Sequence, residues 1–136
     1  MQLNPYLMYD GNCAEAFTHY AKVLGGTLDL QRYGDAPGCE SMPEANRNKI
    51  IHASLDVDSQ VLMASDQPPG DSYQGVKGCS VCINVDAAQD VDRIFNELGE
   101  GGSVQMPPDE TFWAQRFAML TDRFGVPWML NCAKPQ

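Results

Sequence analysis

Three groups of residues in this chain have the types and spacing to do chemistry. Cys79 and Cys82 stand in a C-x-x-C spacing, the pattern of zinc sites and redox dithiols. His52 lies in the run KIIHASLDV, where it interrupts an apolar alternation. A neutral imidazole there could act as a general base or hydrogen-bond donor, or simply be satisfied by its strand neighbours. Glu110 follows Pro107-Pro108 and precedes the aromatics Phe112 and Trp113. It reads equally as a buried carboxyl with a raised pKa or as a rim charge paired with Arg116 or Arg123. Which of these can act depends on the elements that carry them.

Residues 3–9 (LNPYLMY) read as a strand, broken at Gly11-Asn12. Ala14, Phe17, Ala21 and Leu24 then recur at helical spacing, and Gly25-Gly26 stops the helix, predicted near 13–24. TLDLQRY (27–33) is a second strand. Residues 34–49 are rich in Gly, Pro, Asn and charge and read as a loop. KIIHASLDV (49–57) and QVLMASD (60–66) form a strand pair turned at Asp58-Ser59. QPPGDSYQGVKG (67–78) reads as a linker, and the same order then recurs. CSVCINVD (79–86) is a strand. Val91, Ile94, Phe95 and Leu98 mark a helix near 87–98. SVQMP, FWAQRFAMLTD and VPWMLNC are the last three strands. The pattern is βαβββ twice, an α+β chain with halves near 1–66 and 79–134 in one domain.

Strand alternation bears on the thiols. Three residues apart on one strand, Cys79 and Cys82 point to opposite faces and cannot share an ion or a disulfide. Cys79 then joins Val81, Ile83 and Val85 on an apolar face, and Cys82 joins Ser80 and Asn84. The five cysteines fit no disulfide framework and read as free thiols in a reducing cytoplasm. His19 falls on the polar side of the first helix, and Trp128, with Val126 and Leu130, falls on a core face.

The net charge of −9 comes with nine scattered Lys and Arg, so no basic patch exists to bind nucleic acid. No apolar run is long enough to span a membrane, and no secretory signal is visible at the start. The expectation is a cytoplasmic protein.

Three segments carry a family resemblance: PYLMYDGNCAEAFTHYAKVLGG (5–26), IIHASLDV with VLMASD (51–66), and ETFWAQRFAMLTDRFGVPWMLN (110–131). The chain resembles the PhnB-like family of the glyoxalase, bleomycin resistance and dioxygenase (vicinal oxygen chelate) superfamily. Members often carry a 3-demethylubiquinone 3-methyltransferase label, but no G-x-G-x-x-G turn after a strand supports a methyl-donor site here. The resemblance implies two βαβββ modules with curved mixed sheets around a cavity, and a homodimer. It places the superfamily's metal ligands at Pro5, Met63, Ser80 and Met129. None is a carboxylate or imidazole, so neither a metal nor another cofactor is expected.

Placed on that fold, alternation turns one set of residues toward the cavity. It consists of His52, Ser54, Met63, Ser80, Cys82, Trp113, Gln115, Phe117, Met129 and Asn131, with Phe112 turned inward to the helices. The expected function is binding of a small molecule of unknown identity. The alternative is a lyase, isomerase or related enzyme using His52 or Glu110 as acid or base on a small carbonyl compound.

Overall fold

A computed structural model describes residues 1–68 and 70–135. The chain divides into two compact units, Met1–Gly75 and Val76–Gln136. In the first, β1 (Tyr6–Tyr9), α1 (Cys13–Leu24), β2 (Thr27–Arg32), β3 (Ile50–Val57) and β4 (Gln60–Asp66) form a βαβββ module. The sheet order is β1-β4-β3-β2, with β1 parallel to β4 and the other pairs antiparallel. The segment between β2 and β3, expected to be loop, holds a 3-10 turn at Tyr33–Asp35 and the short α2 (Glu44–Arg47). Elements of three and four residues leave no periodic signal to read.

The second unit repeats the plan with β5 (Val81–Asn84), α3 (Ala88–Leu98), β6 (Ser103–Asp109), β7 (Ala114–Thr121) and β8 (Pro127–Ala133). Its sheet order is β5-β8-β7-β6, with β5 parallel to β8. The α+β fold class read from the sequence is the one observed.

Each helix covers one face of its sheet. α1 buries Cys13, Ala16, Phe17, Tyr20 and Val23. That stripe is rotated from the expected one, because Tyr20 is an inward residue. Its hydroxyl accepts from the buried Tyr9 hydroxyl at 3.0 Å, so both phenols are satisfied. The sheet answers with Leu7, Tyr9, Ile50, Ala53, Leu55 and Ala64, all buried. In the second unit Val91, Ile94 and Leu98 of α3 are buried, as are Ala118, Leu120, Trp128 and Leu130 of the sheet. His19, expected at the surface, is half-buried beside Tyr20.

Two glycines hold equivalent places in the two modules. A Cβ on Gly26 would lie 2.2 Å from the Asp56 carbonyl oxygen, and one on Gly102 would lie 2.1 Å from that of Thr121. Each glycine precedes the second strand of its module, whose first residue, Thr27 or Ser103, pairs with that same carbonyl's residue. Only a residue without a side chain lets the chain enter the sheet so close to its neighbour.

Two buried carboxylates tie loops to the sheets. Asp66 accepts from the Cys13 backbone N–H at 3.0 Å and the Ile50 N–H at 2.8 Å, fixing the starts of α1 and β3. Asp122 accepts from the N–H groups of Phe124 and Val126 and from Trp128 Nε1, each at 2.9 Å. The run TDRFGVPW is therefore a turn organised around one carboxylate.

Candidate functional site

The helix-free face of the first sheet is set by register. Leu7 and Tyr9 point to α1, so Tyr6 and Met8 point away from it. Across the sheet Tyr6 pairs with Met63, Met63 with Ser54, and Ser54 with Asp29. His52 pairs with Gln31 one step along the same face. The Tyr6 hydroxyl lies 3.1 Å from His52 Nδ1, and the two rings are 5.7 Å apart. A phenol that donates to Nδ1 leaves the proton of a neutral imidazole on Nε2, where it can be offered to a ligand. A bulge opposite Gln31 and Arg32 shifts the pairing so that Ile50 is fully buried and Ile51 only partly. His52 keeps its outward direction because the shift lies beyond it. Burial, then the nearby Asp66 and lesser neighbours including Tyr6, pushes the Tyr33 phenol up, so it stays a neutral donor.

Tyr6 was not among the residues singled out in the sequence. The signal was present, since the inward pair Leu7 and Tyr9 sends Tyr6 to the side of His52. The reading instead placed Pro5 on this strand. Pro5 precedes β1, and its carbonyl accepts from the Met63 N–H at 3.0 Å.

The second sheet's helix-free face carries two rows. One runs Met106, Met119, Met129, Cys82 across β6, β7, β8 and β5. The next runs Asp109, Phe117, Asn131, Asn84. Trp113 packs edge-on against Phe117, with centroids 5.3 Å apart. Phe112 does not turn inward; it is 88% exposed and rests on Trp113. A bulge between Ala114 and Arg116 breaks the simple alternation there. Gln115 is exposed and donates through Nε2 to the Ala133 carbonyl at 2.9 Å, while Arg116 reaches Asp92 of α3 at 2.9 Å.

Ser80 precedes β5 and is exposed. Cys79 is also outside the strand and exposed, so its assignment to the core fails because alternation holds only within a strand. The Cys82 thiol is raised by partial desolvation although the residue is exposed, which keeps it protonated and weakly nucleophilic. Glu110 is exposed and lies 3.5 Å from Lys134 Nζ, not beside Arg116 or Arg123.

Each module, a strand and helix followed by three strands with β1 parallel to β4 or β5 to β8, defines a glyoxalase-type βαβββ protein. The model of the Glyoxalase/Bleomycin resistance protein/Dioxygenase superfamily matches residues 2–130, and the chain belongs to that superfamily. It is 32% identical to Protein YjdN of Escherichia coli (strain K12), over all of this chain and 98% of that one. The crystal structure of protein PA1353 from Pseudomonas aeruginosa is 51% identical, covers 99% of each chain and superposes with a TM-score of 0.91. A Bacillus cereus structure described as a putative 3-demethylubiquinone-9 3-methyltransferase, PhnB protein, shares the fold at 23% identity, 98% and 100% coverage and a TM-score of 0.79.

The superfamily's metal fits these residues poorly. Register gives the first-strand partner of Met63 as Tyr6 and that of Met129 as Cys82, equivalent places in the two modules. Each module thus offers a thioether beside a phenol or a protonated thiol. Hard and borderline divalent ions prefer carboxylate or imidazole. Among the described residues no three His, Cys, Asp or Glu side chains gather around a common point. No helix among them is long and apolar enough to cross a membrane.

Proposed function

We propose that this is a PhnB-like protein that binds a small molecule on the helix-free faces of its sheets. The observation that carries this reading is the Tyr6–His52 pair, an aromatic and an imidazole joined at 3.1 Å on a face that no helix covers. Ser54 and Met63 beside it add a hydroxyl and an adaptable apolar surface, a mixture suited to a small ligand. The superfamily match over most of the chain and the 32% identity to the E. coli relative support the placement. By family reasoning the protein works as a homodimer in one glyoxalase-like domain; its thioether-lined ligand positions argue for no metal cofactor, its scattered cations for no nucleic-acid partner, and the lack of an apolar span or visible signal for the cytoplasm.

The test is native mass spectrometry of the purified protein, together with thermal shifts in fractionated small-molecule extract. A bound species or a stabilising fraction is expected, with its effect reduced at least roughly tenfold in affinity by His52→Ala, the loss of about one charge-free hydrogen bond plus packing. If no fraction binds, or if His52→Ala binds as well as the parent, the reading is wrong.

A second reading follows from the same pair. A Tyr6-oriented His52 could move a proton at the carbon beside a carbonyl, making the protein a lyase or isomerase. Glu110 is the weaker candidate, since it is exposed and ion-paired. Exchange of solvent deuterium into the bound compound, lost in His52→Ala, would separate turnover from simple binding.

A further inference from the structure

The Asn131 amide stands out on the second sheet. Its Nδ2 donates to Asn84 Oδ1 at 3.0 Å, while its Oδ1 is buried and has no hydrogen-bond partner among the described residues. A buried acceptor left unpaired is costly, and such atoms are few in folded proteins. Phe117 is the register neighbour of Asn131 on β7, and Met129 precedes it on the same face of β8. Phe117 is 4% exposed, and the ring of Trp113 stands against its own. The row next to Asn131 presents the thioethers of Met119 and Met129. Thioether sulfurs and aromatic edges are both favourable neighbours for a flat π-system. The two residues flanking Asn131 in its row, Phe117 and Asn84, carry no charge; the exposed Asp109 closes the row beyond Phe117.

We infer that this face binds a small, uncharged, planar aromatic molecule whose N–H or O–H group donates to Asn131 Oδ1 while its ring rests on Met129 and Phe117. The inference rests on the reading of the protein as a small-molecule binder and names the ligand class for its second module. Asn84 holds the amide in place and is a positioning residue. The sulfur row supplies contact area that adapts to ring shape, and the amide supplies the selection. A site built to receive a donor rejects the analogue lacking it more strongly than an apolar wall rejects a change of size.

Two probes of nearly equal shape decide the matter. Indole carries one N–H donor, and benzofuran replaces it with an oxygen that cannot donate. Each is titrated into ¹⁵N-labelled protein and followed by amide shifts. Indole should bind with saturable shifts at Asn131, Phe117 and Met129, and at least about fivefold more tightly than benzofuran, as one net hydrogen bond allows. Asn131→Leu should erase that preference. Asn131→Asp keeps an acceptor and should retain it, which covers the case in which the leucine variant does not fold. Absence of saturable indole binding up to its solubility overturns the inference, as do shifts confined to other residues, equal affinities, or tighter binding of benzofuran. None of those results touches the extract experiment with His52→Ala, which reads the first module, so the two ideas can fail separately.

Discussion

The Tyr6 hydroxyl meets Nδ1 of His52 at 3.1 Å across 46 residues of sequence. β1 and β3 are not neighbours in the sheet; β4 lies between them. The contact therefore spans β4, whose Met63 is the register partner of Tyr6 on one side and of Ser54 on the other. A phenol that donates here fixes the imidazole tautomer, with the ring proton on Nε2. In the wild-type protein at a pH where His52 is neutral, ¹⁵N shifts should show Nδ1 as the unprotonated nitrogen. Tyr6→Phe should move the populations toward a mixture. Identical spectra for the two proteins would show that the phenol does not set the tautomer.

Metal content is the next expectation. Tyr6 beside Met63 and Cys82 beside Met129 offer no carboxylate or imidazole. Protein purified without chelators should carry Zn²⁺, Ni²⁺ and Fe²⁺ well below one ion per chain by elemental analysis. Added EDTA should leave the unfolding temperature unchanged. One tightly held ion per chain would overturn this and would point to ligands from elsewhere in the fold.

Much of this architecture was legible in the sequence, and particular residues show why. Val91, Ile94 and Leu98 repeat at helical spacing over a run long enough to read, and all three are buried in α3. Trp128 was placed in the core by alternation and is 1% exposed. The losses came where a single residue changes the count. The bulges at Ile51 and Gln115 lie inside strands whose composition is unbroken, so nothing marks them. Cys79 was misplaced because the strand begins at Val81, two residues later than the apolar run suggests. Tyr6 was overlooked because Pro5, beside it, matched the expected ligand position.

The cysteines give a chemical check on burial. Cys79 and Cys82 are exposed, while Cys13 and Cys132 are buried. A disulfide reagent should label Cys79 fastest in the native protein, Cys82 more slowly because its thiol is raised, and Cys13 and Cys132 only on unfolding. Burial first, then the charge of Asp66, pushes the Cys13 thiol from 9.0 up to about 12. The folded state therefore holds its proton where the unfolded state loses it. This contribution to stability is complete below pH 9.0 and declines as pH rises toward 12. Between those limits the parent should lose up to about 1.4 kcal/mol per pH unit relative to Cys13→Ala, whose curve lacks this titration. Parallel curves for the two proteins from pH 8 to about pH 11 would show that Cys13 does not titrate between the states.

Asp122 offers the sharpest test of what the TDRFGVPW run does. Its carboxylate is 3% exposed and accepts three hydrogen bonds at 2.9 Å, two from backbone N–H groups of the turn and one from Trp128 Nε1. Asp122→Ala leaves all three donors buried without this acceptor. Each such loss costs about 1–3 kcal/mol, and because the three share one centre their effects do not simply add. A loss of roughly 3–5 kcal/mol in urea unfolding is expected, at the high end for a single substitution. Asp122→Asn retains one oxygen for the turn but turns an NH₂ group toward one of the donors, so it should fall between alanine and the parent. Trp128→Phe removes one donor and keeps most of the ring. Combined with Asp122→Ala it should cost less than the sum of the two single changes, because the indole N–H is no longer stranded. Strict additivity in that double-mutant cycle would mean that the carboxylate and the indole stabilise the fold independently, contrary to the geometry.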